Sequence, residues 1–493
     1  MQSSAVIPPT HTMRPLIDFL HGKWFFRICY SVAAGLLLLA IGKFTQREWI
    51  RSEGETELAA AIAETEKADP NWRWDDLNAK RTRPPEGRNG ADLLPIIKKQ
   101  TPKDWGKKLL SEEWEAERNV PANARYSKEV IAEVRRECIA AKDAIATARR
   151  FKDYPFGFHS VELAPNPIST LIPYVQDARS IPMLLRWDVV LAVEDGDSPQ
   201  TADTLLAMLN GSRSIGSDPL EIPQIVRRIT RGLATRSLEW AMAQGELPED
   251  RLALLQTAWA SDAEEPLLLY AALGERASSD VLIFNLQSEA IEHRDFVGKD
   301  DEESTLGRLG WWGYRVRLSA DRAQILRQGN QWVEFARKPI EEQVRARSTL
   351  RVPEIDEKHK VAAILIAMSD SGLTTLARAQ WRSVAEMRCA AVGIACERFR
   401  LKHGRWPEAL AKLAPDYLPA VPLDPFDGKP LKMKSLADGV VIYSIGADGD
   451  DNGGVLRRDS NIYGRDEGFR LWNVKDRRVP PPPRPKPSPD DEP

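Results

Sequence analysis

Apolar residues follow three different spacings along this chain, and each spacing predicts a different kind of element. The first run, residues 24–44, reads WFFRICYSVAAGLLLLAIGKF, and residues 28–42 within it carry no charge. With its aromatic and lysine ends, the run reaches the roughly 20 residues that a helix needs to cross a bilayer. The sequence therefore predicts a transmembrane helix at residues 24–43, preceded by a short N-terminal arm at residues 1–23.

A cleavable signal peptide is the competing interpretation of this run. The region before it is long and contains Pro8, Pro9 and Pro15, and no A-x-A cleavage site follows it. These features favour a retained signal anchor. Basic residues flank both ends almost equally, so their count does not set the orientation. A short N-terminal arm before a large C-terminal part favours a single-pass protein with its C-terminal domain on the extracytoplasmic side.

Apolar residues at helical spacing then fill most of the chain. Residues 44–126 are expected to form a stalk and an irregular linker, in which residues 45–68 are a charged, Ala-rich helix leaving the membrane. Residues 127–372 are expected to form an α-helical body of antiparallel helix hairpins, with Ser127 as an N-cap. Residues 225–240 and 252–259 give the clearest hairpin, and Pro248 begins its second helix. The apolar segment 361–368 is too short to span a membrane and is predicted to be core.

The spacing changes to period two near residue 431. Before that point, a helix predicted from 373 to 403 carries two apolar stripes, so it should be covered on more than one side. Leu431 and Met433 then alternate with lysines, and residues 439–446 and 468–472 are rich in β-branched and aromatic side chains. The expected fold is mainly α, with an N-terminal transmembrane helix, a multi-helix body and a small antiparallel β-sheet in a C-terminal module at 373–474.

Composition excludes some classes and leaves others open. Lys and Arg number 69 against 72 Asp and Glu, so no basic field indicates nucleic acid as a partner. The four cysteines form no CxxC pair, and Cys389 and Cys396 would lie about 10 Å apart on a helix, too far for a disulfide. They are interpreted as small buried hydrophobes. Residues 475–493 form a Pro-rich tail that is expected to be extended, with docking to a partner as the alternative.

No catalytic signature is found. The six histidines are dispersed, and HExxH, GxSxG, GxxxxGK[ST] and GxGxxG are absent. The sequence therefore predicts a protein that is not an enzyme.

An acidic loop after the second predicted strand is the candidate for metal chemistry. Asp448, Asp450, Asn452 and the following glycine fit the opening D-x-D-x-[DN]-G of a calcium loop, in which oxygens at alternate positions converge and the glycine permits a sharp turn. Asp459 falls where the closing carboxylate would be. The preceding strand and the closing Asp depart from an EF-hand, and a solvated acidic turn is the alternative.

Several motifs between residues 399 and 472 occur in a recognisable order: HGRWP at 403–407, DPFDG at 424–428, YSIGADG at 443–449 and GRDEGFRLW at 464–472. This order resembles the C-terminal half of the major pseudopilins of type II secretion. The resemblance implies a Ca²⁺ site formed by oxygens from Ser444 to Asp448 and closed by Asp466 and Glu467. Asp450, Asn452 and Asp459 remain the EF-like alternative set.

The chain also departs from that family, because it has no prepilin cleavage motif and its apolar helix lies far upstream. As a whole it resembles uncharacterised bacterial membrane-anchored proteins, which implies no known activity. The resemblance to secreted-side modules supports the orientation given above and implies the inner (cytoplasmic) membrane. The expected role is structural or interactive in the cell envelope, linked to secretion or pilus-like machinery, with the lipid bilayer and unidentified envelope proteins as partners. One alternative is a periplasmic hydrolase with an unrecognised site. The other is a helical scaffold that binds peptides or glycans through Trp72, Trp74, Trp311 and Trp312.

Overall fold

The computed structural model describes residues 23–111, 114–115, 120–292, 305–348, 358–456 and 465–481. Its α-helices and strands have the following bounds: α1 Lys23–Ala68, α2 Trp74–Lys80, α3 Leu94–Gln100, α4 Lys128–Ala140, α5 Lys142–Arg149, α6 Tyr174–Glu194, α7 Ser198–Arg213, α8 Glu221–Gln244, α9 Glu249–Ala263, α10 Leu267–Gln287, α11 Thr305–Tyr314, α12 Leu318–Ala336, α13 Ile340–Arg345, α14 Lys360–His403, β1 Lys432–Leu436, β2 Gly439–Ser444 and β3 Glu467–Trp472. The predicted fold class is confirmed: the chain is mainly helical, with a long apolar N-terminal helix and a three-stranded antiparallel sheet near its C-terminal end.

Helix α1 is one continuous element of 46 residues with two different environments. Its apolar half is exposed along its length, whereas Gly54, Ala61 and Thr65 in the second half are buried. A Cβ atom at Gly54 would lie 3.1 Å from the main-chain nitrogen of Ala320, so the helix packs closely against α12 at this point. The helix predicted at 45–68 is therefore present, and from Gly54 onward it is part of the body.

The two tryptophans after α1 lie inside the protein. Trp72 is 1% exposed and packs beside Ala61 and Leu326, and Trp74 is 6% exposed and packs near Val161. Burial of large apolar rings stabilises the connection between α1 and the body. Neither ring can line an exposed groove together with Trp311 and Trp312.

Both helices of the predicted hairpin in the body are present. Helix α8 ends at Gln244, and α9 begins at Glu249 directly after Pro248, whose fixed backbone angle suits the residue that precedes a helix. Their side chains meet at Trp259, whose indole nitrogen donates to the hydroxyl of Thr235 at 3.0 Å. The Ser127 cap is also present, since its Oγ accepts a hydrogen bond from Val130 N at 3.3 Å.

Helix α14 runs without a break through residues 369–372, where the sequence suggested a boundary. The reason is tertiary contact. The carboxylate of Asp370 is buried and accepts hydrogen bonds from Gln328 and from the indole of Trp332. At Gly372, a Cβ atom would lie 2.3 Å from the carboxylate oxygens of Glu221, so the glycine permits the close approach of α8. The expected division between 372 and 373 thus falls inside one helix.

The sheet has the strand order β1-β2-β3, with Met433, Ile442 and Phe469 in register across it. This face packs on α14 and belongs to a single apolar cluster that extends from Leu93 to Leu471. Phe469 approaches α14 at Gly393, where a Cβ atom would lie 2.6 Å from its ring. The opposite face carries Val441, Tyr443 and Leu436 and is partly covered by Leu456. The sheet and the helical body therefore share one core.

The first residues of the expected Pro-rich tail are bound to the body. Val479 N donates to Asn123 O at 2.8 Å, and Val479 O accepts from Arg125 N at 2.9 Å. Arg477 is buried and pairs with Glu397. The prediction of an extended, unpacked tail from residue 475 is therefore wrong for 475–481, because an arginine and a valine there find partners that composition does not reveal. Residues 482–493 lie outside the described residues.

Candidate functional site

The acidic loop between β2 and β3 is shaped by its own carboxylates. Asp448 Oδ1 accepts from Asp450 N at 3.3 Å, and Asp451 Oδ1 accepts from Gly453 N at 2.9 Å, so each forms a local turn. Gly449 and Gly453 have positive φ angles of 81° and 66°, which glycine adopts without strain. The chain thus reverses tightly enough to bring the loop back beside the start of β3.

Asp466 is the anchor of this loop. Its side chain is fully buried, and its two oxygens accept from Asn452 N at 3.2 Å and from Gly454 N at 2.6 Å. Burial raises the pKa of Asp466, and the nearby charges of Asp451 and Asp448 raise it further, against the lowering effect of the two N–H donors. Carboxylates from both ends of the loop therefore lie close enough to repel one another.

Two lysines of β1 reach this loop across Tyr443. Lys432 Nζ donates to Asp451 Oδ2 at 2.7 Å, and Lys434 Nζ donates to Gly453 O at 2.8 Å. The pair with Asp451 raises the pKa of Lys432. The loop therefore already has cationic partners on one side.

A second group of polar side chains lies on the opposite face of the sheet. Asp424 is buried and accepts from Ser444 Oγ at 2.7 Å, Ile445 N at 2.9 Å and Phe426 N at 2.9 Å. Burial raises the pKa of Asp424. Its place in the sequence motif DPFDG was a signal, but its role in holding Ser444 was not foreseen from the sequence.

The expected acidic pair is divided between these two groups. Glu467 is the register partner of Ser444, and its Oε1 lies 3.8 Å from Arg382 Nε of α14. Asp466 instead holds the loop, because successive side chains near a strand point to opposite faces. The structure thus brings Asp466 together with Asp448 and the main chain of Asn452, and places Ser444 and Glu467 apart from them.

The EF-like alternative set is only partly represented. Asp450 is exposed, and its carbonyl accepts from Asn452 Nδ2 at 2.9 Å. Asp459 lies outside the described residues. Within the described part of the chain, no group of three or more His, Cys, Asp or Glu side chains is placed to hold a metal ion. The site implied by the resemblance uses main-chain carbonyls as well.

One arrangement elsewhere has two of the three parts of a nucleophilic catalytic site. His359 Nδ1 lies 2.8 Å from Asp321 Oδ1, and Tyr314 donates to the other Asp321 oxygen at 2.6 Å. Burial raises the pKa of Asp321. A base oriented by a carboxylate also needs a nucleophile, and no Ser, Thr or Cys of the described residues is hydrogen-bonded to His359. No sequence motif indicates this pair, because its members are 38 residues apart.

The thiols are mostly buried, in agreement with the sequence interpretation. Cys138, Cys389 and Cys396 are buried free thiols, whereas Cys29 is exposed on α1. Burial raises the pKa of Cys138 to about 12, so this thiol is inert near neutral pH.

Comparison of the chain with protein-family models, with curated proteins and with solved structures found no match. The pseudopilin resemblance stays a prediction that rests on the motifs between residues 399 and 472.

Proposed function

We propose that the chain is a single-pass protein of the inner membrane, anchored by residues 24–43, with its body and sheet on the extracytoplasmic side. In this role it is a structural or interaction component of the cell envelope, and the resemblance to pseudopilins links it to secretion or pilus-like machinery. The proposal contains no catalytic step.

The exposed apolar half of α1 is the observation that carries this proposal. Its most apolar 18-residue window has a mean hydropathy of 1.9 and is 0% buried. Helix α14 is also long and apolar enough to cross a membrane, since its apolar 18-residue segment has a mean hydropathy of 1.3. However, 44% of that segment is buried in the body. An apolar surface of this extent in water is costly, so a bilayer is the partner that its chemistry fits.

The aromatic residues near the end of this apolar half support the same placement. Phe44 is 64% exposed, Trp49 is 65% exposed, and Arg47 lies 3.5 Å from the ring centre of Trp312, which is itself 59% exposed. Tryptophan and arginine with exposed apolar surface are typical of the membrane–water interface. The body would then lie directly against the headgroup layer.

A topology experiment tests the anchor. In cells, a C-terminal alkaline phosphatase fusion should be active, and the full-length protein should stay in the membrane fraction. Leu37→Arg with Leu38→Arg should release or mislocalise the protein, because each charge near the centre of the span costs about 2.5–3.5 kcal/mol. Arg substitutions at exposed Ala59 and Ala60, on the packed half of the same helix, are the matched control. A reporter that is active only in the cytoplasm, or a mature chain beginning after Phe44, would refute the proposal.

We also propose that the acidic loop binds Ca²⁺, with Asp448 and Asp466 as side-chain ligands. The repulsion between Asp466 and its acidic neighbours supports this, since a divalent cation would relieve it. Ion binding to the folded state adds about 2.7 kcal/mol of stability when free Ca²⁺ is one hundredfold above Kd.

Thermal unfolding of the full chain in detergent, with Ca²⁺ and with a chelator, measures this effect. Asp448→Ala should abolish the increase in Tm, whereas Asp450→Ala should leave it unchanged, which separates the pseudopilin-like ligand set from the EF-like one. Mg²⁺ at the same concentration controls for ionic strength. Equal melting temperatures of the unmutated protein with Ca²⁺ and with chelator would rule out the site.

A further inference from the structure

A cleft of about 1120 Å³ lies on the second face of the sheet. Its walls are β1–β3, the C-terminal halves of α6 and α8, the segment 120–126 and residues 453–456 of the acidic loop. Apolar and aromatic side chains form much of the lining, including Tyr126, Val190, Leu233, Leu436, Val441 and Trp472. Sites for drug-sized ligands have volumes of about 300–1,000 Å³. This cleft is therefore large enough for such a molecule together with water.

Buried donors in the wall of the cleft have no acceptor. Trp240 Nε1, Ser237 Oγ and Arg470 Nε are buried, and none of them has a hydrogen-bond partner among the described residues. Leaving a buried polar group unsatisfied costs about 1–3 kcal/mol. Trp and Arg side chains can only donate hydrogen bonds. A ligand that satisfies these atoms must therefore supply acceptors.

The charges around the cleft have the matching sign. Its lining contains four basic side chains and two carboxylates, the basic ones being Arg186, Arg236, Lys434 and Arg470 and the acidic ones Glu115 and Glu239. Both acceptors nearest to Arg470 are already engaged: Glu239 Oε1 accepts its main-chain N–H at 2.6 Å, and Asp438 accepts from its guanidinium at 2.7 Å. With Arg470 paired to Asp438, three basic side chains remain against two carboxylates, so the lining keeps an excess of one positive charge.

The basic character continues along α8 toward α14. Burial lowers the pKa of Arg228, and the charges of Arg236 and Arg382 lower it further, with Glu386 acting against them. Arg236 itself is exposed, lines the cleft and has no ion pair with any described residue. Arg236 is thus a cation close to the positive charge of Arg228, in the lining of the cleft.

We propose that this cleft binds an amphiphilic anion, with its carboxylate or phosphate group at Arg236, Arg470 and Trp240 and its apolar part against Tyr126 and Leu436. Acceptor oxygens would satisfy the unpaired donors, the negative charge would meet the basic lining, and the aromatic wall would bury the apolar part. The inference does not depend on membrane anchoring or on Ca²⁺.

Binding of 2-naphthoate to the full chain in nanodiscs, measured by calorimetry and by quenching of tryptophan fluorescence, tests this inference. The neutral analogue 2-naphthamide has the same ring and lacks the charge. Naphthoate should bind more tightly than naphthamide, and Arg236→Gln should weaken naphthoate binding about tenfold by removing one charge-assisted hydrogen bond. Arg179→Gln, at an exposed position of α6 that does not line the cleft, is the matched control. Trp240→Phe should reduce the fluorescence quenching.

Two sources of such an anion are distinguished by competition. Displacement of naphthoate by monomeric lysophosphatidylglycerol would identify a lipid as the source of the ligand, whereas displacement only by soluble organic acids would identify a free metabolite. Either result supports the site. Equal affinity for naphthoate and naphthamide, or equal effects of Arg236→Gln and Arg179→Gln, would overturn the inference.

Discussion

A buried ion pair fastens the last described segment of the chain to the end of α14. Glu397 is 1% exposed and accepts from Arg477 at 2.9 and 2.8 Å through its two oxygens. Arg477 also donates to the main-chain oxygens of Trp472 and Gly245 at 2.9 and 3.0 Å. Arg400 is the second partner of Glu397, at 2.8 Å. The carboxylate is therefore held from two sides inside the protein.

We predict that Arg477→Met destabilises the protein strongly. Removing one partner of a buried ion pair costs about 3–5 kcal/mol, because the remaining charge is left in an apolar environment. Arg400 still neutralises part of that charge, so we expect a loss at the lower end, about 3 kcal/mol.

The neighbouring residue provides a matched control. Arg478 pairs with Glu194 at 2.7 Å, but the two side chains are 31% and 35% exposed. A partly exposed pair of this kind contributes about 0–1 kcal/mol. Arg478 also donates to the carbonyl of Val193, and such a hydrogen bond contributes about 1 kcal/mol. We expect Arg478→Met to cost about 1 kcal/mol, well below Arg477→Met.

The pH dependence of the difference in stability between wild type and Arg477→Met gives a second readout. Burial alone would raise the pKa of Glu397, but hydrogen bonds from Arg400 and Arg477 outweigh it and lower the pKa below its usual value. A carboxyl group with a lowered folded-state pKa contributes stability above its unfolded pKa of about 4.3 and loses it as the pH falls through the folded value. The gap between wild type and Arg477→Met should therefore be full at pH 7 and narrow below about pH 4.

Denaturant unfolding of the full chain in detergent, followed by intrinsic fluorescence at pH 7 and pH 3.5, measures both effects. Equal unfolding midpoints for Arg477→Met and Arg478→Met at pH 7 would refute the reasoning. So would a gap that is the same at both pH values.

Two further predictions concern close contacts and a half-buried histidine. Gly393→Ala should destabilise the protein by about 1 kcal/mol in thermal unfolding, since the clash with Phe469 costs about 1–3 kcal/mol and exceeds the gain in helix propensity. Gly232→Ala is the control and should be neutral or stabilising, because the nearest atom to its new Cβ would be 3.7 Å away, at the end of a side chain. Changes in stability of the same sign for both variants would contradict this. Burial lowers the pKa of His159 to about 4, and its ring stacks on Tyr174 at 3.9 Å. The unfolded state binds a proton near pH 6.5 and the folded state does not, so stability should fall from pH 6.5 toward pH 4. His159→Phe should make the melting temperature less dependent on pH between 7 and 5, and an unchanged slope would contradict the assignment.

The periodicity of apolar residues predicted the helices and strands of this fold well, because it shows which face of each element is buried. Helices α8 and α9, the Ser127 cap and the alternation at Met433 were all found where the spacing of apolar residues indicated them. The break expected near residue 370 was wrong, since Asp370 and Gly372 serve contacts with α12 and α8. Local composition cannot show which polar residue has a partner far along the chain.

The candidate site was predictable only in part for the same reason. The acidic loop and its glycines were visible as a motif, and Asp466 does lie beside the loop. Asp466 and Glu467 point to opposite faces of the sheet because side chains alternate along a strand. Predicting this from the sequence requires knowing the residue at which β3 begins. The role of Asp424 depends on a turn that returns it to Ser444, and the cleft depends on the packing of three distant segments.

The shared core of the sheet and the helical body has a consequence for biosynthesis. Phe469 and Leu471 lie in the same cluster as Leu93, and Val479 pairs with residues near 124. When the ribosome has completed α14, the sheet that forms one side of the core has therefore not yet been synthesised. The core can close only after β3 and Val479 have been translated. If the body is exported as we propose, it crosses the translocon unfolded, and its apolar helices require chaperone protection until the last strand arrives.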